Sequence, residues 1–119
     1  MAIQVVYIDD ELELCQLFQE ILTSPEVNVM TYQDPAEGIR MINELQPDMI
    51  FLDFRLPKTT GDLVARQLLT KAPKFLITGE LLPDYEFPFE KIFQKPIRYD
   101  ELSDFIINYR AKASDAKAR

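Results

Sequence analysis

Apolar residues along this chain follow two rhythms. Short runs rich in β-branched and aromatic side chains, Ile3 to Ile8, Val27 to Tyr32, Met49 to Leu52, Phe75 to Thr78 and Ile92 to Phe93, predict five strands, and longer segments of helical period lie between them. In the first of these, Leu14, Leu17, Phe18, Ile21 and Leu22 recur at i, i+3, i+4, i+7 and i+8, which predicts a helix with one apolar stripe to lay on a sheet. The second opens at Asp34-Pro35, a side-chain cap followed by proline at the first helical position, and carries Ile39, Ile42 and Leu45. A third is expected after Gly61, with Leu63, Val64, Leu68 and Leu69, and a last one after Asp100, with Leu102, Phe105, Ile106 and Tyr109 on one face. Between Thr78 and Lys95 the pattern weakens. Pro83 and Pro88 interrupt Leu81, Leu82, Tyr85, Phe87 and Phe89, so at most a short, broken fourth helix fits there.

Strands joined by helices imply an α/β fold, a doubly wound and mostly parallel sheet, because right-handed crossovers place helices on both faces. Ligands of such sheets bind beyond the carboxyl ends of the strands, where strand order reverses. Asp9 and Asp10 end the first predicted strand and Asp53 ends the third. In a five-stranded order 2-1-3-4-5 these strands are neighbours at the reversal, and three carboxylates converge. Thr78 ends the fourth strand and Lys95 the fifth, so both face the same edge; Pro96 favours extended geometry at Lys95.

Composition narrows the setting. The 119 residues, 47% hydrophobic, suit one domain with a single core and exclude disordered and fibrous classes. A net charge of −7 with no histidine speaks against direct nucleic-acid binding, which needs Lys and Arg to neutralise phosphates. The N-terminal Met-Ala-Ile-Gln meets acids before any long apolar segment forms, so neither a secretion signal nor a membrane span is expected, and the predicted location is the cytoplasm. Cys15 lies in an apolar helical pattern and reads as a buried thiol. The locally basic end, Arg110, Lys112, Lys117 and Arg119 against Asp115, suggests a domain over residues 1–110 followed by a tail or linker stub over 111–119.

Converging carboxylates repel one another and either raise a pKa or recruit a cation. A hard divalent ion such as Mg2+ takes oxygen ligands, typically one or two carboxylates plus waters and a phosphoryl group. A carboxylate beside it can attack phosphorus, a lysine offers a point charge to phosphoryl oxygens, and a threonine hydroxyl can donate to one of them. Taken alone, Asp9-Asp10-Glu11 is equally an acid-rich helix start that complements the helix dipole, Lys95 an exposed lysine before a turn, and Thr78 a strand-favouring residue. Only their joint placement carries the chemical reading.

Four motifs in order carry a family resemblance: the Ile8-Asp9-Asp10-Glu11 acidic turn; Phe51-Leu52-Asp53 followed by Leu56-Pro57 and Gly61; Ile77-Thr78-Gly79; and Lys95-Pro96. From Ile3 to Tyr109 the chain resembles the receiver domain of bacterial two-component response regulators. The resemblance implies a flavodoxin-like (βα)5 fold with Asp53 as phosphoacceptor. It further implies Mg2+ bound directly by Asp10, Asp53 and the backbone carbonyl of Arg55, with Asp9 acting through metal-bound water. Lys95 would pair with the phosphoryl group, and Thr78 would move to hydrogen-bond it. The donor would be a sensor histidine kinase or phosphotransfer protein, and an unknown output partner would read the result. Arg55 and Glu80, each two residues past a site residue, are expected to set the lifetime of the phosphoryl group.

The expected protein is a phosphoacceptor rather than a turnover enzyme, because a hydrolase working through an aspartyl phosphate needs a second acid where Arg55 stands. The alternative is a receiver-like interaction module that is not phosphorylated. Ile92 occupies the position where the family often places a switching Tyr or Phe, and the compact Thr78 to Lys95 connection alters a surface that many receivers use for homodimers or output.

Overall fold

The computed structural model describes residues 2–81 and 83–118, with side chains placed as far as Tyr109. The elements are β1 (Ile3–Ile8), α1 (Leu12–Leu22), β2 (Val27–Tyr32), α2 (Pro35–Leu45), β3 (Met49–Asp53), a hairpin of β4 (Arg55–Leu56) and β5 (Thr59–Thr60), α3 (Gly61–Ala65), β6 (Lys74–Thr78), β7 (Lys91–Gln94) and α4 (Tyr99–Ala118). The main sheet is parallel in the order β2-β1-β3-β6-β7, which is the expected 2-1-3-4-5 succession of a flavodoxin-like fold.

Every residue of β3 is buried, as is every residue of β1 except Gln4, as helices on both faces require. Side-chain alternation sorts the core into two halves. Val5, Tyr7, Phe51 and Phe75 face Phe18 of α1 and Leu102 and Ile106 of α4, whereas Val6, Ile8, Ile50 and Leu52 face Ile42 of α2 and Val64 of α3. Each such side chain contributes about 1.5–3 kcal/mol on leaving water, so the sheet's position is strongly determined. The register aligns the strand ends: Ile8 lies opposite Leu52, Asp53 opposite Ile77, and Thr78 opposite Gln94.

Several sequence expectations need correcting. The buried stripe of α1 is Cys15, Phe18 and Leu22, while Leu17 and Ile21 face outward at 43% and 50% exposure. Residues at i, i+3, i+4, i+7 and i+8 cover a wider arc than one sheet face can shelter, and the sheet covers only the Phe18 side. Helix α3 ends early: Val64 and Leu68 are buried, but Leu63 is half exposed and Leu69 lies in solvent. Asn43 of α2 and its C-cap Gln46 hold the backbone that follows in a non-helical course. Asn43 Oδ1 accepts from Leu69 N at 2.6 Å and Asn43 Nδ2 donates to Gln67 O, while Gln46 Nε2 donates to Leu69 O.

No helix forms among the described residues between β6 and β7. An aromatic plug takes its place, with Tyr85 against Phe54 and Phe89, Phe87 against Phe89, and Phe87 and Phe89 packed on the α2–α3 half of the core. Helix α4 covers the other half and is stitched to β7 by Phe93, Phe105 and Tyr109, whose hydroxyl donates to Glu90. Cys15 is buried as expected, and burial first, then the charge of Asp9, pushes its thiol up to about 11. No helix among the described residues is long and apolar enough to cross a membrane.

Candidate functional site

At the carboxyl edge of the sheet, one residue past β1, Asp9 is fully buried; Asp53 at the end of β3 is 5% exposed, and Asp10 faces solvent. Their nearest carboxylate oxygens all lie within 4.8 Å of one another. The backbone continues the ladder to place them: Asp9 N donates to Tyr32 O at 3.1 Å, and Gln33 Nε2 holds Asp10 O at 3.1 Å. The acids do not cap α1. Its N-cap is Glu11, which makes no side-chain cap bond, and the Asp9 carboxylate accepts from Glu11 N within the turn instead.

Lys95 enters from the other side. Its backbone N donates to Thr78 O at 2.9 Å, one residue past β7, and the Lys95-Pro96 peptide is cis. Its Nζ lies 2.8 Å from Asp53 Oδ1 and 3.2 Å from Asp9 Oδ2. Burial pulls the ammonium down, but the hydrogen bond and charge of Asp53, followed by Asp9, outweigh it and hold Lys95 above its ordinary pKa. Asp53 is pushed up to about 6, first by burial and then by the charges of Asp9 and Asp10, with the Lys95 hydrogen bond and charge opposing.

Thr78, 2% exposed, accepts from Glu80 N at 3.0 Å through its hydroxyl oxygen, and among the described hydrogen bonds its proton is uncommitted. Arg55 Nε donates to Glu80 Oε1 at 2.5 Å while its guanidinium stacks 4.8 Å over the Phe54 ring. That bridge ties the segment after β3 to the segment after β6, across the crevice mouth. Gly61, which donates to Phe54 O, leaves no room for a side chain: an added Cβ would stand 2.6 Å from the Asp53 carbonyl oxygen.

The donor set suits a hard cation. All three side chains offer oxygen, and ligands on opposite sides of a Mg2+ at its usual distance stand about 4.2 Å apart, so small side-chain movements close the cluster. Asp9, Asp10, Asp53, Thr78 and Lys95 are thus brought to one crevice from four strand ends, with Arg55 and Glu80 paired at its rim.

Two tyrosines here escaped the sequence reading. Tyr7, fully buried in β1, donates its hydroxyl to Asp9 Oδ2; its signal was the i, i+2 spacing that puts it on the Asp9 side of the strand. Tyr99, at the start of α4, has a buried hydroxyl with no hydrogen-bond partner among the described residues and is raised by burial and then by the charge of Asp9. No local pattern pointed to it.

Comparison with known proteins gives one consistent outcome. Residues 5–80 match the family model for the response regulator receiver domain. The chain is 38% identical over 77 residues to protein-glutamate methylesterase/protein-glutamine glutaminase 3 of Geobacter sulfurreducens, covering 63% of this chain and 21% of that protein. It is 32% identical over 84 residues to the alkaline phosphatase synthesis transcriptional regulatory protein PhoP of Bacillus subtilis, covering 71% of this chain and 35% of that one. The chain therefore spans about a fifth to a third of the length of these relatives. The crystal structure of a CheY-like receiver domain protein from Methanospirillum hungatei superposes with a TM-score of 0.84 at 17% identity, covering 98% of this chain and 99% of that one. The family match stops at Glu80 and does not reach Lys95, whose place beside Asp53 is given by the geometry alone.

Proposed function

Because this chain belongs to the response regulator receiver domain family, we propose that it is a phosphoacceptor switch in which Asp53 takes a phosphoryl group from a sensor histidine kinase or phosphotransfer protein. The carrying observation is Lys95 Nζ at 2.8 Å from Asp53 Oδ1, in a crevice where three carboxylates converge. Asp53 attacks phosphorus, the new bond is carboxylate oxygen to phosphorus, and the donor's phosphorus–nitrogen bond breaks with its electron pair returning to the imidazole. Lys95 turns from Asp53 to a phosphoryl oxygen and offsets its charge. Asp10, Asp53 and the Arg55 carbonyl would hold Mg2+, with Asp9 acting through water, and the ion would supply further charge neutralisation. Receiving one group per event and releasing it to water makes this chain a switch, not a turnover enzyme.

Phosphorylation reaches the surface through Thr78. To donate to a phosphoryl oxygen its hydroxyl moves away from Glu80 N, and Glu80 is tied to Arg55, so the segment 79–90 shifts with it. Arg55 and Glu80 flank the approach of an attacking water and set the phosphoryl lifetime. In this reading residues 1–110 are the receiver unit and 111–119 a tail or linker, although α4 itself runs on to Ala118. The setting is cytoplasmic, and the output partner, or a second copy of the chain, reads the segment that replaces the fourth helix.

Intact mass after incubation with acetyl phosphate and Mg2+ tests this. One added phosphoryl group in the wild type, absent from Asp53→Asn, is expected; no added mass, or mass that persists in Asp53→Asn, favours an interaction module that is never phosphorylated. Amide exchange on the modified sample tests the switch, and unchanged protection over 79–90 refutes it.

A further inference from the structure

Asp9 is held by more donors than its role beside a cation calls for. Its carboxylate accepts from Tyr7 OH and Lys95 Nζ on Oδ2 and from Glu11 N on Oδ1. A carboxylate offers about four acceptor sites, two on each oxygen. Oδ2 is therefore full, and Oδ1 retains one site.

Tyr7 is the fixed member of this set. Its ring is fully buried and stacked on Phe18 at 4.2 Å, on an interior strand with a parallel neighbour on each side, so the phenol cannot swing away. Lys95, in contrast, has a flexible stem and a second acceptor in Asp53. A phenol buried without a partner costs free energy that an aliphatic side chain at this strand position would not, and Asp9 is the hydrogen-bond partner that removes the cost.

We propose that Tyr7 is a positioning residue of the acidic crevice: its phenol holds the Asp9 carboxylate on the Lys95 side and withholds Oδ2 from the cation, leaving direct ligation to Asp10 and Asp53. The proposal rests on the crevice being a divalent-cation site. It deepens that assignment by saying what keeps the buried acid from competing for the metal. Without the phenol, Oδ2 regains an acceptor site and the carboxylate is no longer held toward Lys95, so Asp9, already one of the three clustered acids, becomes a third direct carboxylate.

Mg2+ titration followed by amide chemical shifts around Asp10 and Asp53 tests this in wild type, Tyr7→Phe, Asp9→Asn and the double variant, with thermal melts to establish folding. Tyr7→Phe is expected to bind Mg2+ about tenfold tighter or more, the effect of one hydrogen bond to a charged group, and to lose that gain entirely in the Asp9→Asn background. An affinity within about twofold of wild type, a weaker affinity, or a gain that survives in Asp9→Asn overturns the proposal. Wild-type amides that do not respond to Mg2+ overturn the cation site and this inference with it. Should Tyr7→Phe fail to fold, Asp9→Asn and Asp10→Asn decide: Asp9 withheld from ligation predicts a much smaller loss of affinity in Asp9→Asn, and equal losses refute it.

Discussion

Replacing the phosphoacceptor should make the metal-free protein more stable, and the gain should depend on pH. Burial and the nearby charges of Asp9 and Asp10 raise Asp53 from its ordinary 3.8 to about 6, against the pull of Lys95. A folded-state pKa above the unfolded one means that the folded state binds the proton more tightly. Its contribution is fully present below about pH 4 and is lost as pH rises through about 6. At pH 8 the folded chain therefore carries a penalty of about 3 kcal/mol for ionising Asp53, with solvent screening minor at 7% side-chain exposure. Asp53→Asn removes that ionisation while keeping the shape, and Lys95 retains Asp9 as a partner. The variant should thus gain up to about 3 kcal/mol over wild type at pH 8 in chelator, about 12 °C in Tm for a domain of this size. At pH 4 the two proteins should match within about 0.5 kcal/mol, and saturating Mg2+ at pH 8 should shrink or reverse the gap, because the cation stabilises the ionised cluster. Urea unfolding at both pH values, with and without Mg2+, measures this directly. An Asp53→Asn protein less stable than wild type at pH 8 in chelator, or equally more stable at pH 4, refutes the electrostatic account of the crevice.

Gly61→Ala should cost about 1–3 kcal/mol in urea unfolding and shift the Asp53 amide, because the added Cβ meets the Asp53 carbonyl oxygen at 2.6 Å, backbone that cannot yield freely; an unchanged midpoint counts against it. Tyr99→Phe removes a buried hydroxyl with no hydrogen-bond partner among the described residues, so its unfolding free energy should stay level or rise by up to about 1 kcal/mol, and a loss larger than that would show a partner beyond them. Arg55→Ala and Glu80→Ala should each alter the decay of phosphorylated protein by more than about twofold while changing stability by less than about 1 kcal/mol, since the bridge is exposed. A decay rate within that range in both variants removes these residues from the lifetime role.

What this sequence determined by itself is what neighbours along the chain can encode. The unbroken apolar run Val5 to Ile8 and the cap at Asp34-Pro35 are local signals, and each produced its element; Asp34 accepts from Glu37 N as a cap should. The acids at strand ends were legible for the same reason, because a charge after an apolar run marks where the sheet meets water. Tertiary structure decided what depends on distant partners. Phe18 and Leu17 are equally apolar and adjacent, and only the placement of the sheet buries one and exposes the other. Past the third helix, Asn43 of α2 and its C-cap Gln46 hold the backbone of Leu69, a competition that no window around Leu68 contains. Pro83 and Pro88 announced a weak fourth helix, but the aromatic plug in its place exists only because α2 and α3 leave an apolar face for Phe87 and Phe89 to cover. Tyr7 shows the limit most plainly. As a buried aromatic in a strand it reads as filler until the turn after β1 folds the Asp9 carboxylate back onto its hydroxyl, and Lys95, 86 residues away, arrives at the same oxygen only because the strand order brings β7 to that edge. Period and capping cost nothing beyond local conformation, whereas a charge constellation exists only once long-range strand pairing has closed the loops between its members.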